Sequence, residues 1–231
     1  MPVRHNLYIV ATPIGNLQDI SLRAMSLLLD SNVIIAESAS KAGLLLNFIE
    51  KESNRKRPIN QKIISLTEDE EENKIPQIFQ ELAENDAVLI SEAGTPLISD
   101  PGFRLVREAI KKGINIIPVP GPSAPITALS ASGLPTDKFI FLGYLPKNKS
   151  KAGKLLKSIK DIKTTVIIFE SPHRLISTLN LLSAEFGNID IVISRELTKI
   201  HEEIRREKIS DSIGHFGSVK PRGEFTLLFG I

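Results

Sequence analysis

The sequence contains no cysteine and no tryptophan, and only two tyrosines and two methionines. The absence of cysteine excludes disulfides, thiolate zinc sites, iron–sulfur clusters and a cysteine nucleophile, and it fits a reducing compartment. Aromatic residues make up 5% of the chain, so extensive stacking on single-stranded bases is not expected. The histidines at 5, 173, 201 and 215 show no metal-ligand spacing, so we expect no metal site.

Long apolar runs and a strong net charge are also missing. The apolar stretch at residues 7–11 is too short for a signal-peptide core or a membrane span, so we expect a cytoplasmic protein with no membrane partner. The formal charge is only +2, from 29 Lys and Arg residues against 27 Asp and Glu residues. We therefore expect no DNA partner, and any contact with RNA must come from local basic patches.

Short β-branched runs alternate with longer amphipathic stretches in the first half of the chain. Apolar residues at helical spacing predict a helix over residues 20–29, and Thr67 with Glu70 forms a capping-box pattern for a helix that runs towards Leu82. The alternation predicts a parallel sheet with helices on both faces. Its strands are predicted at 7–11, 33–36, 62–66, 87–91 and 114–119.

The segment 118–125 contains four prolines, which we expect to prevent regular structure and to form a stiff hinge. We therefore divide the chain into an N-terminal α/β domain, residues 1–118, and a C-terminal α/β domain, residues 119–231. The last predicted strand should be part of a sheet and should not tolerate truncation. In the second half, strands are predicted at 139–143, 164–170, 190–195 and 224–231, and helices at about 123–132, 150–160 and 172–186.

The loops after the first and fourth predicted strands are rich in proline and glycine. Ligands of open α/β sheets bind beyond the carboxyl ends of the strands, so residues 12–16 and 92–102 are the candidates. Neither loop contains a dinucleotide fingerprint or a P-loop. Their prolines fix the backbone and their glycines allow close approach of a flat, uncharged ring such as adenine. Either loop alone could simply end a strand, but together with the segment PGPSA, residues 120–124, they favour a ligand cleft.

Charged and polar residues at or shortly after the ends of predicted strands are candidates for acid–base chemistry. An ion pair between two loops would give the same spacing, so both interpretations remain open. Asp100 has a second interpretation too, as the cap of a helix that begins near Gly102. The candidates are Glu37 and Glu92 in the first half and Glu170, His173, Arg174, Arg195, Glu196 and Lys199 in the second.

Two basic stretches could neutralise RNA phosphates, although a solvated surface would give the same composition. The first contains Lys51, Arg55, Lys56, Arg57 and Lys62, and the second is a run of lysines from Lys147 to Lys163 with Asp161 as its single acid. Tyr144 is the aromatic residue best placed to stack on an extruded base.

Seven segments of the chain, from residue 7 to the C-terminus, resemble signature blocks of a known family. They are ATPIGNLQDIS, SEAGTPLISDPGFRLV, VPGPSAPITALSASGLP, FLGYLP, FESPHRL, SRELTKIHEE and GEFTLL. Their order is that of the bacterial ribosomal small-subunit RNA methyltransferase I family, a branch of the tetrapyrrole (corrin/porphyrin) methylases. Residues 36–40 depart from the family, because they read AESAS where members usually read Ala-Glu-Asp-Thr-Arg.

The resemblance implies two α/β domains with S-adenosylmethionine in a cleft between them, and a homodimer. It also implies methyl transfer to the 2′-hydroxyl of a cytidine in 16S rRNA, with the small ribosomal subunit or its RNA as partner. The chemistry requires no metal, because the donor's leaving group is neutral and the protein mainly positions the reactants. By the same resemblance, the donor would contact Pro13, Gly15, Gly94, Thr95, Pro96, Ile98, Ser123 and Ala124.

The predicted catalytic residues are Glu170, Arg174, Arg195 and Lys199, because each lies at or shortly after the end of a strand of the second half and could act on the acceptor hydroxyl. Three alternatives remain open at this point. One is methylation of a different RNA position, and another is methylation of a small tetrapyrrole-like substrate. The third is an RNA-binding relative without catalysis.

Overall fold

The computed structural model describes residues 5–231. They pack as two compact units, one ending at Ser123 and the other spanning Ala124–Ile231. Both units combine strands with helices, which confirms the predicted α/β class. The domain boundary that we place after residue 118 lies close to this division and stays a prediction. Within the described residues, no helix has the length and apolar character needed to cross a bilayer.

The first unit is built on a five-stranded sheet in the order β3-β2-β4-β1-β5, and every pairing in it is parallel. Buried side chains form one cluster on each face of the sheet, so the predicted parallel sheet with helices on both faces is confirmed. The strands are β1 Asn6–Val10, β2 Val33–Ala36, β3 Lys62–Ser65, β4 Ala87–Ile90 and β5 Asn115–Val119, and the helices are α1 Leu22–Asp30, α2 Ala39–Ser53, α3 Glu71–Leu82 and α4 Phe103–Lys111.

The second unit has a mixed five-stranded sheet in the order β6-β7-β10-β8-β9. Only β6 and β7 pair in parallel, and the other three pairings are antiparallel. The last strand occupies the centre of this sheet, which confirms that the residues near 225–230 belong to it. The strands are β6 Phe139–Tyr144, β7 Thr165–Glu170, β8 Asp190–Arg195, β9 Glu203–Lys208 and β10 Phe225–Gly230, and the helices are α5 Ala124–Ser132, α6 Lys149–Ile159, α7 Leu175–Phe186 and α8 Ile209–Ser218.

The expectation that four prolines would prevent regular structure over 118–125 is wrong for two of them. Pro118 lies in β5, which is an edge strand, where a missing N–H costs the sheet nothing on its outer side. Pro125 lies in the first turn of α5, where the backbone N–H has no partner within the helix. Within the segment 118–125, only residues 120–123 lie outside helices and strands.

The predicted capping box also forms differently. The Thr67 hydroxyl donates to the Glu70 carboxylate, with 3.2 Å between Oγ1 and Oε2, and α3 begins one residue later without a side-chain cap. The sequence analysis did not predict strand β9, because its residues EIRREK are mostly charged and lack the apolar pattern of a strand, although they pair with β8. For β9, the tertiary pairing with β8 outweighs the local pattern.

Candidate active site at the carboxyl edge of the first sheet

The loops after β1 and β4 are joined by a reciprocal pair of backbone hydrogen bonds. Thr12 N donates to Gly94 O at 2.8 Å, and Gly94 N donates to Thr12 O at 3.1 Å. The buried hydroxyls of Thr12 and Ser91 add side-chain bonds, from Thr12 to the Ser91 carbonyl at 3.3 Å and from Ser91 to the Gly94 carbonyl at 3.0 Å. Two loops distant in sequence therefore form one rigid surface.

The backbone of residues 94–102 is strained. Gly94, Leu97, Ser99 and Gly102 have φ angles of 88°, 72°, 69° and 120°. Such φ values are uncommon outside glycine, and the strain at Leu97 and Ser99 is of the order of 1–3 kcal/mol each. Segments of this kind concentrate at ligand-binding sites, where the surroundings hold the backbone in an unfavourable conformation.

A third segment, residues 120–123 after β5, completes this surface. The Thr95 hydroxyl donates to the Pro122 carbonyl at 3.1 Å, which ties the segment to the loop after β4. A Cβ on Gly121 would lie 3.0 Å from the Ala11 Cβ, so only glycine allows the segment to pass so close to the end of β1. We call residues 12–16, 92–101 and 120–123 the loop platform.

Seven of the eight predicted donor-binding residues lie on the loop platform, and Ala124 lies outside it. Of these, Pro13, Gly94 and Pro96 are buried, whereas Gly15 and Ile98 are exposed. Ser123 ends the first unit, and Ala124 begins α5 in the second. Donor binding by these residues stays a prediction.

A cavity of about 220 Å³ opens beside the loop platform, at the carboxyl ends of β1, β2 and β4. Thr12, Pro13 and Glu92 of the platform form part of its wall. Among its other lining residues, Ala36, Leu45 and Ile90 are apolar and Glu37 and Lys41 are charged.

Three carboxylates and one ammonium group lie around this edge of the sheet. Burial raises the pKa of Glu37, and the neighbouring Glu92 raises it further, while Lys41 opposes the shift. Burial raises the pKa of Asp100 to about 6, with Glu37 adding to the shift and a hydrogen bond from Ser91 opposing it. Lys41 forms an ion pair with Glu92. The edge is therefore rich in negative charge that has few cationic partners.

These acids do not form a metal centre, because within residues 5–231 no three His, Asp or Glu side chains are arranged to hold an ion. Asp100 does not cap α4 either. That helix begins at Phe103, directly after Gly102, and has no side-chain cap from this segment. Its Leu105 N–H instead donates at 2.8 Å to Oε1 of Glu71, a buried carboxylate from α3. Sequence analysis missed Glu71, because in the run EDEEEN nothing separates a buried acid from solvated ones.

The predicted catalytic pair of the second unit, Glu170 and Arg174, is brought together. Glu170 is 1% exposed, and its carboxylate accepts hydrogen bonds from Thr178 Oγ1 at 2.5 Å and Ser171 N at 2.8 Å. Arg174 Nε lies 3.4 Å from Glu170 Oε1, and its Nη2 donates to the Leu145 carbonyl at 2.8 Å. The Glu170 carboxylate is thus fully engaged and has almost no contact with solvent.

Arg195 and Lys199 also lie in ion pairs. Arg195 Nε donates to Glu203 Oε2 at 2.9 Å, and Lys199 Nζ donates to Glu196 Oε1 at 2.9 Å. A further bond of 3.0 Å joins Lys199 to Glu224. Glu170 and Arg195 are the register partners of Phe225 on either side of β10, so the two pairs lie at the same end of the sheet.

The two basic stretches differ in their partners. In the first stretch, Arg55 pairs with Asp30, Lys56 and Arg57 lie 3.8 and 3.9 Å from Glu50, and Lys62 lies 2.7 Å from Glu81. In the second, four lysines around the start of α6 are exposed and form no ion pair within residues 5–231. They are Lys147, Lys149, Lys151 and Lys154.

The chain matches known proteins over nearly its whole length. A sequence profile of the family described as Tetrapyrrole (Corrin/Porphyrin) Methylases matches residues 6–212. A Thermotoga maritima protein named Ribosomal RNA small subunit methyltransferase I is 42% identical over 223 residues, which cover 96% of each chain. A protein of the same name from Escherichia coli O157:H7 is 41% identical over 207 residues, or 89% of this chain and 70% of that protein.

Solved structures share the fold at low sequence identity. A diphthine synthase superposes with a TM-score of 0.71 and 14% identity, covering 97% of this chain and 88% of that one. A cobalt-precorrin-4 methyltransferase superposes with a TM-score of 0.67 and 17% identity, covering 97% of this chain and 94% of that one. The chain therefore belongs to the tetrapyrrole methylases and, within them, to the ribosomal RNA small subunit methyltransferase I family, and it is an enzyme of the class that transfers methyl groups from S-adenosylmethionine.

Proposed function

We propose that this enzyme methylates the 2′-hydroxyl of a cytidine in 16S rRNA. The observation that carries the proposal is the 42% identity over 96% of both chains with a relative named Ribosomal RNA small subunit methyltransferase I. The seven signature segments, from ATPIGNLQDIS to GEFTLL, support the same acceptor. The alternative of a small tetrapyrrole-like acceptor has no comparable support at this level of identity.

The loop platform is the proposed site for S-adenosylmethionine. Its close-packed glycines expose peptide groups to a flat adenine, and the hydroxyls of Thr95 and Ser99 suit a ribose. Residues 92–102 contain no cationic side chain, in contrast to a pyrophosphate site, whereas Glu92 and Asp100 favour a ligand with positive charge. These residues fit a sulfonium donor with an amino-acid end, and Pro13, Gly94 and Pro96 would form its buried support.

When bound, the donor supplies a methyl group on a positively charged sulfur, and the leaving group is neutral. The platform's contribution is to hold the methyl group in line with the acceptor oxygen and to exclude water. The paired bonds between Thr12 and Gly94, with the Thr95–Pro122 bond, give the rigidity that such alignment needs. A rigid platform fits a reaction whose rate depends mainly on geometry.

The acceptor hydroxyl is a very weak acid, so cationic groups or a base near it would lower the barrier. In the proposal, Arg195 and Lys199 stabilise the negative charge that develops on the oxygen while its proton passes to a solvent water molecule. Arg174 does the same, and Glu170 holds Arg174 in place, because the buried Glu170 carboxylate is already engaged by Thr178 and Ser171. Glu170 then has a positioning role.

The exposed lysines around the start of α6 are the proposed RNA-docking surface, since unpaired ammonium groups can replace the counterions of phosphates. The first basic stretch contributes less, because its cations already have acidic partners. A ribosomal acceptor would place the enzyme in the cytoplasm. The resemblance to the family further leads us to propose a homodimer.

The direct test is methyl transfer to purified small-subunit RNA that lacks the modification. The full chain, isotopically labelled S-adenosylmethionine and this RNA are incubated, and the RNA is digested and analysed by nucleoside mass spectrometry. Labelled 2′-O-methylcytidine is the expected product. A labelled base-methylated nucleoside, or label on another nucleotide, would contradict the proposal.

A further inference from the structure

We propose that the cavity beside the loop platform binds the cytosine ring of the acceptor nucleotide, and that Glu37 and Lys41 read the hydrogen-bonding edge of that ring. This inference rests on the proposed function, because it names the part of the acceptor that the first unit recognises. It adds a base-binding site to an enzyme whose reacting group is on the sugar.

The position of the cavity suits an acceptor. Thr12 and Pro13 line it and also belong to the loop platform, so the two sites share a wall. In the sheet order β3-β2-β4-β1-β5, the cavity lies towards β2. The Thr95–Pro122 bond of the platform lies towards β5, on the other side of the shared wall. Methyl transfer needs reacting atoms about 3–3.5 Å apart, which only neighbouring sites allow.

The size and walls of the cavity suit a single flat ring. Its volume of about 220 Å³ is below the roughly 300–1,000 Å³ of sites for drug-sized ligands. Apolar side chains such as Ala36 and Ile90 offer faces for a base, and the rim exposes Leu44 at 70% and Leu17 at 41%. A base extruded from RNA would cover these leucines. The new apolar contacts would offset the base stacking that is lost on extrusion.

The charges at the cavity match cytosine better than uracil. Cytosine presents the N4 amino donor beside the N3 acceptor, so a carboxylate beside an ammonium group complements it. Uracil presents O4 and N3–H in the opposite order, which would place O4 against the Glu37 carboxylate. We therefore expect a preference for cytosine of about 10–100-fold, the discrimination typical of a well-placed bidentate contact.

The environment of Glu37 leaves it in need of a donor. Burial raises the pKa of Glu37 and Glu92 raises it further, so its charged form is poorly stabilised in the free protein. The Lys41 ammonium is held at the same edge by its ion pair with Glu92. An N–H group from a bound base would compensate the desolvation of the Glu37 carboxylate, and that gain is available only to a ligand with a donor at this position.

The test compares the binding of CMP and UMP to the full chain by NMR titration. The wild-type protein should bind CMP about 10-fold or more tightly than UMP. In Glu37→Gln, the new amide N–H₂ can donate to uracil O4, so the preference should shrink to about threefold or less. Glu72→Gln is the matched control, because Glu72 pairs with Arg104 on the surface and does not line the cavity, and it should keep the full preference.

A second variant guards against a misfolded Glu37→Gln protein. Lys41→Met removes the donor to N3 and should weaken CMP without strengthening UMP, with an unchanged circular dichroism spectrum in both variants. Equal binding of CMP and UMP by the wild type would overturn the inference. Displacement of CMP by S-adenosylhomocysteine would also overturn it, by assigning the cavity to the donor.

The failure of the inference can be separated from failure of the proposed function. If CMP is preferred but no RNA is methylated, the base site stands and the proposed function fails. If RNA is methylated, the base site is tested by comparing single-turnover rates on RNA that has cytidine or uridine at the target position. A preference for cytidine that persists undiminished in Glu37→Gln would overturn the base site while leaving the proposed function intact.

Discussion

The carboxyl edge of the first sheet and the edge of the second sheet at which β7 and β8 end share a sequence pattern and differ in chemistry. At each edge, charged residues follow buried strands. At the first edge the carboxylates have raised pKa values, as for Glu37 and Asp100. At the second edge, burial again acts to raise the pKa values of Glu196 and Glu203. Hydrogen bonds from Lys199 to Glu196 and from Arg195 to Glu203 outweigh burial, so both pKa values are lowered.

The cause is the number of cationic partners. Lys41 is shared among the acids of the first edge, whereas Arg195, Arg205 and Lys199 serve the acids of the second. The comparison teaches that a charged residue after a strand does not by itself mark a reactive site. An acid without a partner stays available to a ligand, and an acid in a well-formed ion pair contributes to stability.

The largest expected effect is at the second edge. Glu170→Ala should lower the free energy of unfolding by about 3–5 kcal/mol, because it leaves the Thr178 hydroxyl and the Arg174 guanidinium without their buried partner. Urea denaturation of the full chain measures the loss. A variant that is as stable as the wild type but catalytically dead would contradict the structural role and make Glu170 a direct participant.

The next effect compares the two basic stretches. Replacement of Lys149, Lys151 and Lys154 by alanine should reduce the slope of log RNA affinity against log salt by roughly 0.7–0.9 per lost phosphate contact. Filter binding between about 50 and 200 mM salt measures it. The matched triple variant Lys51→Ala, Arg55→Ala, Lys62→Ala should change the slope less, because Arg55 and Lys62 are engaged with Asp30 and Glu81. Equal changes in both variants would remove the distinction.

A smaller effect separates the edges by pH. Asp100 has a folded-state pKa of about 6 against 3.8 in the unfolded chain, so the folded protein binds the proton more tightly and its stability falls as the pH rises from 3.8 to about 6. Asp100→Asn should therefore stabilise the protein above pH 6 by on the order of 1 kcal/mol, after allowance for solvent screening. The gain should vanish below about pH 4, as measured by urea denaturation across this range.

Glu203→Gln should have the opposite sign. The pKa of Glu203 is lowered by Arg195 and Arg205, so its contribution is present above the unfolded value of 4.5 and is lost as the pH falls through the lower folded value. The variant should be less stable than the wild type at neutral pH and equal to it in strong acid. Stabilisation by both substitutions at neutral pH would refute the contrast between the edges.

The smallest effect concerns the loop platform. Thr95→Val removes the hydroxyl that bonds to the Pro122 carbonyl and should weaken S-adenosylmethionine binding by about 3–10-fold, in line with the loss of one hydrogen bond. Thr95→Ser keeps the hydroxyl and should bind the donor like the wild type in calorimetry. Normal binding by the valine variant would show that the bond is dispensable for the platform.

Much of the fold follows from the sequence, because buried parallel strands such as β2 and β4 are continuous apolar runs. Strand β9 could not be predicted from the sequence, since its stability comes from pairing with β8 and from the ion pairs of Arg205 with Glu203 and Glu207. Pro118 and Pro125 were misinterpreted because their effect depends on the edge and helix-start positions, which only the tertiary structure defines.

The site was predictable in its backbone and unpredictable in its charges. The loop platform follows from proline and glycine after strands, and the bridge between Thr12 and Gly94 fits that expectation. The sequence could not show that Glu170 is buried against Thr178 while Glu37 lines a cavity, because each is simply an acid at the end of an apolar strand. Which acid receives a cation depends on residues far apart in the chain.

The central place of β10 has a consequence for biosynthesis. Before β10 is made, β7 can pair with β6 and β8 with β9, but the strand that joins β7 to β8 is still missing. The ribosome adds about 5–20 residues per second, and domains generally fold as units as they emerge. The first unit can therefore complete its sheet while the second is still being synthesised. The second unit must keep apolar strands such as β7 and β8 without their central partner until the end, which makes nascent chains stalled before residue 225 the species most in need of a chaperone.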